Sequence, residues 1–529
     1  MPWQHPPVPH SACRSALSRA ARSAIPPFVA LLAAAGALGT VASAGCVSPG
    51  DGPSPPANEF YYPAGLAISP GGHSMFVVNS DFDLQYNAGT VIALDLDRIR
   101  AMIPPVWDTD DPRYPCGVLG DNRQTVLYPG RCAAIDLQAP ADGAGTLVAA
   151  STQIGAFATD ALVLVPPGPA PTGTEGGARL FIPVRGDPSI TWIEIADDRA
   201  EGTTRKLSCG QSGDSPRCAG AHRAGENASS NLRGAVLPAE PYGIAATESG
   251  DALLVTHQTA GAVSLVTNPW EGTPTLQFVL GGFSYGALGI AALPVPAYVR
   301  SRGFEYNPAF LTTFRASAEV DTVRYYNDQA AAPARPFVSR TAVAPITVNA
   351  SGVDSRGIAV DSHDRIACEQ SCDADIECLR ACSEVPLGVF IANRSPPSII
   401  VGEVRTRVGD TWADDSVTIF DSVPIRFGPS KVQIGQVIED DGLPHRRVFV
   451  SCFDSRTVVI YDPARLRIDA EVRTGRGPHA LAFDPYLPIA YVGHFTDSYV
   501  GAIDLDRRHS SYGTIIASIG APKPPRESK

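Results

Sequence analysis

The chain has 529 residues, is 44% hydrophobic and carries a formal net charge of −12. It is long enough to bury a large core. An acidic composition without clustered Lys or Arg argues against a nucleic-acid partner, whose phosphates need basic contacts. Gly (49) and Pro (48) are both abundant and Met (3) is scarce, so many turns and few long helices are expected.

The first segment reads as an export signal. Arg14, Arg19 and Arg22 precede an uncharged apolar run from Ile25 to Val41, which ends in Ala42-Ser43-Ala44-Gly45 and then Cys46. Basic, apolar and small-residue stretches in that order are the plan of a secretory signal. The run falls slightly short of the ~20 apolar residues a spanning helix needs. Its ending resembles the bacterial lipobox, with Ser43 standing where lipoboxes usually carry Leu. That resemblance implies a signal peptide over 1–45 and lipid on Cys46 as the first mature residue. Cleavage near Ala44 without lipid, or an uncleaved anchor, is the alternative. Losing 1–45 removes three arginines and no acid, so the mature chain is more acidic still. Residues 46–57, rich in Pro and Gly, read as a flexible tether. The expected location is the cell envelope, lipid-anchored, facing the periplasm or the cell surface.

From residue 58 to 520 a repeat runs along the chain. Its fullest copy is Pro63-Ala-Gly-Leu-Ala-Ile-Ser-Pro-Gly-Gly-His-Ser-Met-Phe-Val-Val-Asn79, continuing through Gly89-Thr-Val-Ile-Ala-Leu-Asp95. An apolar strand, a Pro-Gly-Gly turn, a second strand, a polar loop and a third strand are its physical content. Copies start at Pro241, Ser355, Gly428 and Gly477, with weaker ones near Ala156–Ile195 and Gly286–Tyr326. Outer strands follow some copies, as at Thr275–Leu280. Insertions near 101–145, 200–235 and 364–386 interrupt the pattern, and 521–529 reads as a disordered tail.

About seven units of four strands result. Each alone would expose both faces of its sheet, and radial stacking buries them. The units resemble the YVTN-type repeat of lactonase-like seven-bladed β-propellers. An all-β, seven-bladed propeller of four-stranded antiparallel blades is therefore expected, with a short disulfide-stapled helical hairpin inserted. Eight blades, or six with a separate insertion, are the other counts the repeat allows. Propellers host many unrelated activities, so the resemblance specifies fold far better than function.

Of the 11 Cys, Cys13 lies in the signal and Cys46 at the lipobox. Eight others fall in local sets: Cys116 with Cys132, Cys209 with Cys218, and Cys368, Cys372, Cys378 and Cys382. Disulfides in an oxidising compartment are the reading, with Cys452 left over. In Cys368-x3-Cys372-x5-Cys378-x3-Cys382 a spacing of four places each pair on one helical face, and Asp373–Asp375 supplies a turn. Three connectivities are open. Nesting Cys368–Cys382 around Cys372–Cys378 would staple a helical hairpin. Zinc is the competing reading, although zinc sites more often use a two-residue spacer. No metal and no cofactor are expected.

Two columns of the aligned repeat bear polar residues. Asn79, His257, Asn393, Cys452 and His494 end the second strand, where Asn and His often bond loop backbone. Ala64, Tyr242, Arg356, Ser430 and His479 stand near the start of the innermost strand, which in a propeller borders the central channel. Tyr242, Arg356, Ser430 and His479 are thus the candidate ligand-binding residues, and Arg356 and His479 the candidate catalytic ones. Two functions compete. One is a non-enzymatic binding or interaction scaffold, monomeric, with a protein or glycan partner. The other is a lactonase-like hydrolase acting on a small ligand at the channel mouth, as the resemblance implies. Gly282-Phe-Ser284-Tyr-Gly286 matches the nucleophile-elbow pattern but falls between two strands, where that chemistry needs a strand-turn-helix. Asp81 and Asp83, and Asp108, Asp110 and Asp111, are loop carboxylates able to take Ca²⁺ through oxygen, without EF-hand spacing.

Overall fold

A computed structural model describes residues 52–103, 134–168, 177–200, 204–211, 216–304, 306–328, 332–348 and 354–523. The signal segment, Cys46, Cys116, Cys132, Asp108, Asp110 and Asp111 lie outside the described residues.

Seven antiparallel sheets follow one another along the chain. Blade 1 is Pro63–Ile68, Ser74–Asn79, Gly89–Asp95 and Val148–Ile154. Blade 2 is Leu162–Leu164, Gly177–Val184, Ser189–Ala196 and Arg223–Ala224, with Leu207–Ser208 also on its third strand. Blades 3 to 7 begin with Pro241–Ala246, Ala287–Ala292, Ser355–Asp361, Pro429–Ile438 and Pro478–Phe483. The fold is thus the seven-bladed propeller of four-stranded blades.

Burial explains the strand sequences. The second strands, such as Ser74–Asn79 and Ile489–His494, are buried at every residue, because neighbouring blades cover both faces. Such strands read as continuous apolar runs. The outer strand Arg467–Arg473 is mostly accessible and accordingly mixes charges with apolar residues.

Closure brings the inner strand of blade 7 against that of blade 1. A shared core of Phe60, Leu66, Ile92, Tyr491, Val500 and Ile519 joins them. Ala134–Ile135, from the insertion of blade 1, adds a parallel fifth strand to the outer edge of blade 7. The seam is therefore tied at both its inner and its outer edge.

Strand alternation defines two faces. Inner strands start on the upper face and end on the lower one. The inserted segments join first to second strands or third to fourth strands, so all of them leave from the lower face. There, helices His363–Gln370 and Ile376–Ser383 form the hairpin. The turn between them has positive φ at Asp373 (44°) and Ala374 (66°), and Asp375 caps the second helix by accepting from Glu377 N (3.0 Å). Disulfides join Cys368 to Cys382, Cys372 to Cys378, and Cys209 to Cys218. The hairpin rests on Tyr298, Val299 and Val408 in a small apolar core of its own.

Candidate functional site

The site forms at the start of the inner strands. In most blades the pairing of the first two strands shifts register there, between Pro63 and Gly65, Ser355 and Gly357, Pro429 and Lys431, and Pro478 and Leu481. A bulge re-aims the side chain it carries. Small residues follow: Gly65, Ala161, Gly243, Gly289, Gly357 and Ala480. They let the inner strands approach, for a Cβ on Gly243 would lie 2.2 Å from the Leu288 carbonyl oxygen and one on Gly289 2.7 Å from that of Arg356. Lys431 alone puts a long side chain in this column.

A cavity of about 330 Å³ lies here, lined by Asp160, Tyr242, Arg356, Ser430 and Lys431 among others. Lys431 Nζ pairs with Asp160, both side chains being mostly buried. Asp160 precedes the inner strand of blade 2 and Lys431 lies in blade 6, on opposite sides of the ring, so the pair crosses the channel. Arg356 grips Asp354, Nη2 to Oδ2 at 2.9 Å and Nε to Oδ1 at 2.5 Å. Arg315 Nε reaches the same carboxylate at 3.3 Å.

His479 is buried, and its Nδ1 lies 3.2 Å from Ser430 Oγ. Ser430 Oγ in turn lies 3.2 Å from the Ser451 carbonyl oxygen. A hydroxyl has one proton, so Ser430 either donates to the Ser451 carbonyl and accepts from His479 Nδ1–H, or donates to His479 Nδ1, according to the histidine tautomer. Burial pushes the His479 imidazole down to about 3, and nearby Lys431 and Arg356 push the same way.

Tyr242, Arg356 and Ser430 therefore come together around the cavity, whereas His479 packs beside Ser430 and is not part of the lining. Sequence reasoning missed Asp160, Asp354 and Lys431. Lys431 had a readable signal, its place in a column otherwise Gly or Ala. Asp160 had a weaker one, because Thr159-Asp160-Ala161 replaces the Pro-x-Gly start in blade 2.

In the other column, Asn79, His257 and Asn393 bond neighbouring groups, while both ring nitrogens of buried His494 meet no partner. His257 sits 3.2 Å from the Ala239 carbonyl and 2.8 Å from Ser264 Oγ. Asn79 bonds the Glu59 carbonyl and the Tyr61 amide at 3.2 Å each. Asn393 donates to the Pro396 carbonyl at 2.8 Å. Ser284 donates to Glu319 (2.7 Å) in a turn between blades 3 and 4, with no helix following. Cys452 is buried and free, its thiol pushed up to about 12 by burial. The sulfurs of Cys372, Cys378 and Cys382 lie within 4.8 Å of one another, yet all three are in disulfides and offer no thiolate.

The upper face also carries an aromatic cluster. The Phe82 ring lies 5.3 Å from Phe495, 6.0 Å from Phe157 and 6.1 Å from Tyr62, and Phe453 joins through Phe495 at 6.0 Å. Phe82 is half exposed.

No protein-family model and no curated protein matches the chain. Among solved structures it is similar to hydrazine synthase of Kuenenia stuttgartiensis, at 11% identity over 84% of this chain and 96% of that one, TM-score 0.40. A putative 6-phosphogluconolactonase from Bacteroides uniformis gives 10% over 78% and 86%, TM-score 0.40. The periplasmic gluconolactonase of Pseudomonas aeruginosa gives 11% over 78% and 86%, TM-score 0.40. Likeness at this level says nothing of activity. Among the described residues no helix is long and apolar enough to cross a membrane.

Proposed function

We propose that the protein is an exported, lipid-anchored binding module that takes a small anionic ligand, or an anionic group of a protein or glycan partner, at the upper channel mouth. One observation carries this reading: two cations, Arg356 and Lys431, line one cavity, each held by a carboxylate of the chain itself. An incoming anion competes with Asp160 for Lys431, and the partly exposed Asp160 carboxylate must then turn to solvent. The hydrolase reading is weaker, because His479 lies outside the cavity lining and burial pushes it down to about 3, whereas a general base is most effective with a pKa near the working pH.

Thermal-shift screening against sugar acids, sugar phosphates and dicarboxylates, paired with a lactone-hydrolysis panel, tests the reading. The expected result is stabilisation by some anions, lost in Lys431→Ala and Arg356→Ala, with no turnover. Lactone turnover that collapses in Arg356→Ala or His479→Ala would favour the hydrolase instead. The anchor has a separate test. Intact mass of membrane-extracted protein should start at an acylated Cys46, and Cys46→Ala should release the protein. Any other mature start overturns the anchor.

A further inference from the structure

The loop joining the second and third strands of blade 1, on the upper face, sets oxygen-bearing side chains at alternate positions: Asp81, Asp83, Gln85 and Asn87. Its two carboxylates are held by consecutive backbone amides. Asp83 Oδ1 accepts from Gln85 N at 3.2 Å and Asp81 Oδ1 from Tyr86 N at 3.1 Å. Consecutive residues are ~3.8 Å apart along the chain, so the carboxylates stand side by side. Asp83 Oδ2 also accepts from Tyr62 Oη at 3.3 Å. Among the described residues neither carboxylate has an Arg, Lys or His within ion-pair distance.

A second observation is independent of this clustering. The Asp81 side chain is completely buried, and its Oδ2 meets no donor; the buried Oδ1 of Asn87 meets none either. Buried acceptors without donors are costly. The carboxylates of Asp81 and Asp83 cannot satisfy each other, because both are acceptors. A cation satisfies them all.

We propose that Asp81 and Asn87, with Asp83 at the rim, bind a hard divalent cation, Ca²⁺ being the one suited to a flexible set of oxygen ligands. Backbone carbonyls and water would complete the shell. The ion would brace the loop that carries Phe82 beside the aromatic cluster.

Terbium(III) is the probe, used on the full chain. The Tyr61 and Tyr86 rings lie 5.0 Å apart at this loop, so tyrosine excitation should sensitise terbium emission, and added Ca²⁺ should quench it by displacement. Emission should fall at least tenfold in Asp81→Asn, and Ca²⁺ should raise the melting temperature of the wild type only. Asp83→Asn, an exposed change, guards against misfolding of the first variant and should weaken terbium binding several-fold. Emission that is absent, or equal in the wild type and both variants, overturns the site. So does a melting temperature indifferent to Ca²⁺ that instead falls as pH rises through 7, because Asp81 is then satisfied by a proton.

Discussion

The two faces of the propeller are built on different principles. Around its central cavity the upper face holds paired charges: Lys431 with Asp160 and Arg356 with Asp354. The lower face carries the inserted segments, two nested disulfides and an extra apolar core around Tyr298, Leu379 and Cys382. It also has a larger cavity of about 460 Å³, lined by Phe483, Pro485, Leu487 and other residues. One face holds charges that an incoming anion can exchange with. The other is reinforced by disulfides, apolar contacts and a buried network in which Arg447 pairs with Glu439, Asp462 and Asp469. In the proposed reading, elaboration and recognition occupy different faces, and the long insertions do not mark the binding site.

The sharpest way to break this contrast is to disturb each face and read both. Gly243→Ala places a methyl against the Leu288 carbonyl oxygen, on the inner ring itself. A loss of about 3 kcal/mol in urea unfolding is expected, together with loss of anion binding, because overpacking against backbone cannot relax cheaply. An unchanged midpoint would mean that the inner strands are not in close contact. The double change Cys368→Ala with Cys382→Ala opens a loop of 14 residues. It should cost about 2–3 kcal/mol and expose the hairpin to proteolysis while leaving anion binding at the upper mouth intact. Coupled loss of binding would show that the two faces are not independent.

The inner strands were legible because a Pro or a small residue, followed two positions later by Gly or Ala in most blades, starts them, and the small residue has a reason in the close approach of the strands. Cysteine spacing made the hairpin legible, since residues four apart share a helical face. The Lys431–Asp160 pair was not legible. It joins residues 271 apart, and blade 2 begins with Thr159-Asp160 in place of the repeat's proline. Arg356 could be placed at the mouth from its column, but its partner Asp354 stands outside the repeat. His479 was misleading in sequence, because its column does not show that the ring is buried beside Ser430 and outside the cavity lining.

A smaller effect sharpens the electrostatic side of the comparison. His479 and His494 are pushed down to about 3 and His257 to about 4 by burial. The unfolded chain takes up protons below ~6.5, while the folded one does not until pH approaches these lower values. Their contribution is therefore complete above pH 6.5 and declines as pH falls toward 3–4. At pH 5.5 each should cost about 1 kcal/mol. Asp81, raised to about 7, acts the opposite way, favouring the fold as pH falls below 7. In His479→Gln the acid-side slope of stability between pH 6.5 and 4 should be shallower by about one proton. An unchanged slope would mean that His479 is protonated in the folded protein.

The most direct test of the upper mouth as the ligand site is calorimetric titration of the best anion from the screen into the wild type, Lys431→Ala and Asp160→Asn. Binding should weaken at least tenfold in Lys431→Ala and tighten in Asp160→Asn, where the competing internal carboxylate is gone. Equal affinity in all three proteins would contradict the account.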